Sequence, residues 1–296
     1  MKRPGWLLLA VLGAGCATTS GVAPRFTYAP AAGTRYVRTV KLVSETSLVG
    51  APYRHREEQE FVWNVSYSHE GENTLVTHQL QRLAVRIDGA EVLDGERAPG
   101  MGVTVDLVVD PSPRVIEVRG AEKAAELLTP LLRDGVRQAS DFSVTTELVR
   151  RFAVARFEMM VRDVVGHPTD PGASWPAADA DPAIVKKTMT VDRIEACGQA
   201  RCARVSAQYE VNPRAGAVTA LRSAAAFLIR NGVDPGSAEV VDATLEYRDE
   251  LLLEPGTLVD HGASFAQTAR VTFARPDGQA LPVEFRSTLE QSSMFP

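Results

Sequence analysis

Three cysteines and five histidines hold most of the chemistry that this 296-residue chain could do. Cys197 and Cys202 stand in EACGQARC with four residues between them. Zinc would need further cysteine or histidine ligands, and no histidine lies nearby in sequence. A redox pair usually has two intervening residues rather than four. The spacing therefore predicts a structural disulfide, contributing about 2 kcal/mol for so short a loop. His55, His69, His78, His167 and His261 never fall three or four residues apart, and no HExxH is present. GxSxG, Walker and dinucleotide-binding signatures are also missing from the sequence. Asp179 and Asp181 are too few for a calcium loop.

Two spots combine groups that could move protons. His55-Arg56-Glu57-Glu58 offers an acid and a base, but it reads as the solvated start of a strand. Val259 to Ser264 places Asp260, His261 and Ser264 close together. A strand would send such neighbours to opposite faces, and triad members usually come from separate elements. No catalytic residue, metal ligand or cofactor site is expected.

Charge narrows the partners further. Lys and Arg number 32 against 37 Asp and Glu, with the two signs interspersed. No basic stripe or arginine–aromatic interleaving marks a nucleic-acid surface, so no nucleic-acid partner is expected. An acidic chain is not drawn to anionic lipid by charge either.

These groups must be positioned by elements, and period-two alternation dominates. Phe61, Trp63, Val65 and Tyr67 point one way, and Val62, Asn64, Ser66 and Ser68 the other. A turn at His69 to Asn73 leads into a second run through Ile87, and Asp88-Gly89 turns again. Val103 to Val109 and Val115 to Val118 flank DPSPR. If Cys197 faces Cys202, then Ala196 faces Ala203, Ile194 faces Val205 and Glu195 opposes Arg204. A three-residue loop, Pro276-Asp277-Gly278, pairs Val271 with Val283, Phe273 with Leu281 and Phe265 with Leu289, with Gly278 in the left-handed region.

Helices are expected over Ala121 to Arg133, Ser143 to Val165 and Ala215 to Arg230. The middle one has Val144, Leu148, Phe152, Ala155 and Met159 on one face and solvated charges elsewhere. Residues 167–182 read as a proline-rich linker. Gly33 and Gly172 each stand three before an aromatic, Tyr36 and Trp175, a faint internal duplication. The expected class is α+β: a large curved antiparallel sheet of long strands, half-barrel in the limit, with about three helices packed on it.

The N-terminus supplies the address. MKRPGWLLLAVLGAGC has a positive start at Lys2 and Arg3, a short apolar run from Trp6 to Leu12, then small residues before Cys16. The run is too short to span a bilayer. It resembles the signal of bacterial outer-membrane lipoproteins, in which the cysteine becomes the lipidated first residue. That resemblance implies lipidation of Cys16, and Ala17 in place of Asp implies the outer membrane. Gly13 and Gly15 would also suit ordinary signal peptidase, so secretion without lipid is the alternative. Residues 1–15 are then a signal peptide and 16–32 a lipidated flexible tether. Residues 33–296 form one β-rich domain, divisible into subdomains 33–166 and 172–296. The envelope is oxidising, which favours the disulfide.

In its long strands and few helices the chain is similar to the half-barrel of envelope lipoprotein carriers and sorting factors. This implies an apolar cavity between sheet and helices. The sequence thus points to a non-catalytic binding or scaffold protein of the bacterial envelope, held to the membrane by lipid and engaging a protein partner. A carrier for lipid or another hydrophobic ligand is the alternative, and an enzyme with a dispersed site ranks third.

Overall fold

The alternating runs become long strands. β1 (Arg35–Leu48), β2 (Arg54–Glu70), β3 (Asn73–Ile87), β4 (Ala90–Leu93), β5 (Thr104–Val109) and β6 (Val115–Arg119) precede the helix α1 (Thr146–Val161). β7 (Ser174–Ala177), β8 (Ile184–Cys197), β9 (Ala200–Val211), β10 (Glu239–Leu253), β11 (Asp260–Ala274) and β12 (Ala280–Met294) follow it. The computed structural model describes residues 24–50, 54–93, 101–127, 145–178, 183–218, 239–274 and 280–296. Strand takes up 65% and helix 12%, so the fold is β-rich and poorer in helix than the α+β class expected from sequence.

All strands join one unclosed antiparallel sheet in the order β6-β5-β3-β2-β1-β12-β11-β10-β9-β8-β7, with β4 paired to β3. Starting at β7, the strands follow chain order to β12, then continue from β1 to β6. The sheet is therefore an up-and-down meander whose first and last strands pair, Val37 opposite Met294 and Leu48 opposite Val283. Its opening lies between β6 and β7. α1 comes between those two strands in sequence and packs at that opening. Phe157, Met160 and Val161 of α1 share one core with Val118 of β6 and Trp175 of β7.

That core also takes Phe26, Tyr36, Tyr67, Met189, Val205, Leu251 and Leu253, so strands from both wings converge on α1. A second core gathers Ala269, Val271, Phe273, Leu281 and Val283 at the far ends of β11 and β12. A third lies under β2, β3 and β5, around Leu80, Leu83, Val85 and Val105, and includes Ala124 from a helical turn at 121–127. All three occupy one face, here the inner face. The outer face carries cross-strand ion pairs, among them Arg82–Glu60 at 3.2 Å and Arg270–Glu284 at 2.7 Å. Exposed pairs of this kind add only about 0–1 kcal/mol each. Their main effect is to keep that face polar.

Turn chemistry matches the sequence signals. Asp88 and Gly89 both have positive φ, 51° and 82°, as a two-residue hairpin turn with both central residues left-handed requires. Gly120 ends β6 at φ +78°, and a Cβ there would sit 2.2 Å from the Thr104 carbonyl oxygen. Asn212 caps the helical turn at 213–218, its Oδ1 accepting from the Arg214 amide at 3.1 Å, with Pro213 at the first helical position. The last hairpin has the expected register, Val271 opposite Val283, Phe273 opposite Leu281 and Phe265 opposite Leu289. Its loop, Gly278 included, lies outside the described residues. So do the remainders of the first and third expected helices.

The expected duplication has a structural counterpart. The Gly33 amide donates to the Tyr67 carbonyl and the Tyr67 amide to the Thr34 carbonyl. The Gly172 amide donates to the Val191 carbonyl and the Val191 amide to the Ala173 carbonyl. Each turn starts a strand that pairs with the next one.

Four expectations need correcting. The helix spans Thr146–Val161, and its buried side follows Phe157, Met160 and Val161 with Ala153 against the core, while Ala155 is exposed. Ala153, Phe157 and Met160 follow a helical spacing different from the one read from sequence. Residues 167–182 are not a linker throughout, because β7 within them pairs with β8 and Trp175 is buried. Pro176 is tolerated there because β7 is an edge strand. The N- and C-terminal strands do not form separate subdomains, since β1–β12 pairing puts them in one sheet. Of the expected tether, residues 24–32 are docked rather than free. Phe26 is 0% exposed, and its amide donates to the His167 carbonyl at 2.9 Å. An aromatic side chain in a polar segment was the signal for this.

Candidate functional site

β11, β12 and β1 present a row of apolar side chains at mid-sheet on the inner face. Phe265 stands opposite Leu289, and Leu289 opposite Leu42. Val40, opposite Gln291, adjoins them on the next row. All four apolar side chains are half-buried, and none belongs to any of the three cores. Alternation explains why they share a face, because each strand turns every second residue inward. Tyr247 lies beside this strip, its ring 6.1 Å from that of Phe265, and its hydroxyl accepts from Gln267 at 3.4 Å.

A buried polar cluster closes the α1 end of the strip. Asp260 is 1% exposed, Gln291 6% and Arg38 8%. The Arg38 guanidinium reaches Asp260 Oδ2 at 3.0 Å, donates to the Tyr36 hydroxyl at 2.7 Å and lies 3.2 Å from His78 Nε2. Gln291 Nε2 donates to the same Asp260 oxygen. Tyr36 and Tyr67 hydroxyls are 3.4 Å apart. Burial opposes the charge on Arg38, but Tyr36, Asp260 and Tyr67 together hold its pKa above the ordinary value. Burial also pushes the Tyr36 and Tyr67 hydroxyls up, so both stay protonated. The result is a neutral ion pair ringed by phenols, low in the sheet and closed to bulk solvent.

A second buried pair lies across the same core. Lys187, 2% exposed, holds Asp163 at 3.2 Å and lies 5.9 Å above the Tyr209 ring. The Tyr209 hydroxyl donates to Asp249 at 3.2 Å, and the Trp175 indole donates to the Asp163 carbonyl at 2.7 Å. This pair fastens β7, β8 and the end of α1 together.

The sequence-predicted residues are placed as follows. Cys197 and Cys202 form a disulfide with Cα atoms 5.8 Å apart. Their hairpin is tighter than expected, however. Cys197 opposes Ala200, and Cys202 opposes Glu195, two residues off the predicted register. Gly198 takes φ +65° and permits a two-residue turn, so the disulfide spans a diagonal instead of a facing pair. The shift is even and keeps each residue on its face. Arg204 accordingly still reaches Glu195, at 2.6 Å.

His261 brings a ring nitrogen within 4.8 Å of both sulfurs, but the sulfurs are bonded to each other and offer no thiolate. The structure splits Asp260, His261 and Ser264: Asp260 binds Arg38, His261 stacks on Phe295 at 4.4 Å, and Ser264 lines the outer face. At the start of β2, Arg56 pairs with Glu58 at 2.7 Å and His55 with Asp88 at 3.1 Å. Cys16 lies outside the described residues.

Sequence reading missed Arg38, Gln291, Lys187 and Asp163, and weighed Asp260 only beside His261 and Ser264. The available signal was a polar residue interrupting an inward apolar series, as in Tyr36-x-Arg38-x-Val40-x-Leu42 and Leu289-x-Gln291. A hollow of ≈ 450 Å3 lies on the opposite, outer face around Gly262, with Lys41, Arg204, Glu250 and Glu290 on its walls. These charged walls are unlike the strip.

No family model matches the chain. No curated protein matches it either. Among solved structures it is similar to lipovitellin, a structure described for its lipid–protein interactions, at 9% identity and a TM-score of 0.44 over 89% of this chain. The chain spans 25% of that protein. DynF of the dynemicin biosynthesis pathway of Micromonospora chersina aligns at 10% identity and a TM-score of 0.19, covering 94% of this chain and 92% of its own. A DUF1329 family protein from Desulfovibrio piger aligns at 10% identity and a TM-score of 0.18, covering 88% and 85%. All three TM-scores are below the level of a shared fold, so what the site can do is read from its own residues.

Proposed function

We propose that this chain is a non-catalytic envelope protein, anchored by lipid at Cys16, that binds a hydrophobic ligand on the inner face of its sheet. One observation carries the reading. Phe265, Leu289, Leu42 and Val40 form a contiguous apolar strip that none of the three cores absorbs. A fully buried apolar side chain contributes about 1.5–3 kcal/mol, and half-buried ones keep part of that in reserve for a ligand. The outer face, laced with ion pairs, offers a hydrophobe nothing comparable. Its hollow around Gly262, walled by Lys41, Arg204, Glu250 and Glu290, favours a second reading, docking of a protein partner.

Native mass spectrometry of the full chain purified from its own envelope tests the first reading. A co-purifying small amphiphile is expected, and Leu42→Arg with Leu289→Arg should lose it while circular dichroism stays unchanged. A wild-type protein that carries no adduct and gains none on incubation with fatty-acid or fatty-alcohol micelles would overturn the proposal.

A further inference from the structure

The polar cluster at the end of the strip has unused hydrogen-bonding capacity. Asp260 Oδ2 is taken by Arg38 and Gln291. Asp260 Oδ1, Gln291 Oε1, Ser293 Oγ and Arg38 Nε have no partner among the described residues. Buried polar atoms are rarely left in this state, and each calls for a partner such as a water or a ligand group. Their location is specific. Gln291 lies opposite Val40 and beside Ala263, and Leu289 is the next inward residue on β12. A hydrophobe lying along the strip would end against this cluster.

The chemistry of the cluster selects the head group. Two of the four atoms, Asp260 Oδ1 and Gln291 Oε1, only accept, Arg38 Nε only donates, and the Ser293 hydroxyl can do either. The Arg38–Asp260 pair is already neutral, so an anionic head would meet the Asp260 carboxylate and the Gln291 carbonyl with no free cation to offset it. An ammonium would find acceptors but would be buried as an uncompensated charge. A hydroxyl can donate to Asp260 Oδ1 or Gln291 Oε1 and accept from Arg38 Nε. Resting on the hydrophobic-ligand reading, we infer that this end of the strip recognises an uncharged, hydroxyl-bearing head on an acyl- or alkyl-chain ligand.

Isothermal titration of the purified full chain with 1-dodecanol, dodecanoate and dodecylammonium separates the possibilities. 1-Dodecanol should bind at least tenfold tighter than either charged analogue. Ser293→Ala and Gln291→Leu should each shrink that preference to threefold or less, and Ser293→Ala removes only one unpaired oxygen should Gln291→Leu disturb folding. Leu42→Ala should weaken all three ligands alike. Equal binding of the three, or tighter binding of a charged one, would overturn the head-group inference and leave the hydrophobic-ligand reading standing. Binding of none would overturn that reading itself.

Discussion

Arg38 and Asp260 show what a charge costs inside a sheet. Removing one member of a buried pair strands the other, typically costing about 3–5 kcal/mol, whereas replacing both by apolar groups is often close to neutral. Arg38→Leu should therefore lower the urea midpoint sharply, and Arg38→Leu with Asp260→Leu should recover most of the loss. A double variant no better than the sum of the singles would show that the pair is not the unit of interaction. His261 adds a pH signature. Burial holds its imidazole below the ordinary value, with Glu254 and Asp260 partly opposing. His167 moves the same way, through burial and Arg25. A depressed folded-state histidine stabilises above its unfolded value of about 6.5, and that stability is lost as pH falls through the folded value. The melting temperature should drop between pH 7.5 and 5.5, and less steeply in His261→Phe. Identical slopes in the two proteins would refute this.

At the scale of elements, two hairpins proved unequally legible. The β11–β12 register was readable because Pro276-Asp277-Gly278 narrowed the turn to two or three residues, and of those only the three-residue loop keeps Val271, Phe273, Leu281 and Val283 together. The β8–β9 register was not, since a two-residue shift preserves the faces and leaves alternation blind to it. There the turn decides, and Gly198 was the residue to weigh. The site was less legible still. Its apolar strip follows from alternation once β1, β11 and β12 are known to adjoin, but β1–β12 pairing joins opposite ends of the sequence and leaves no local trace. Gly120 gives a test of local constraint. Gly120→Ala must drive a methyl toward the Thr104 carbonyl and hold a positive φ, whereas Gly33→Ala at φ +85° meets nothing within 4 Å. The second should cost about 1 kcal/mol and the first clearly more, by chemical denaturation. Equal costs would mean that β5 can retreat from the turn.

For the whole molecule, residues 24–28 dock beside α1, at the end of the sheet where the polar cluster lies. The proposed anchor at Cys16 has its own test. Metabolic labelling with an alkyne fatty acid should mark the protein, and Cys16→Ser should abolish the mark. A wild-type chain that stays unlabelled in the periplasmic fraction would end the anchoring proposal. Among the described residues no helix is long and apolar enough to cross a membrane.

The pairing of β1 with β12 also governs how the chain can fold. Most strand pairs form between neighbours in sequence and can assemble as soon as both strands exist. β1 must wait for residues 283–294, which are synthesised long after it. Until then it presents an unprotected edge of fourteen residues, long enough to recruit a strand from another molecule. Contacts of such sequence separation form slowly. During synthesis the danger to this protein is therefore intermolecular, and its yield should depend on whatever covers β1 in the interval before β12 arrives.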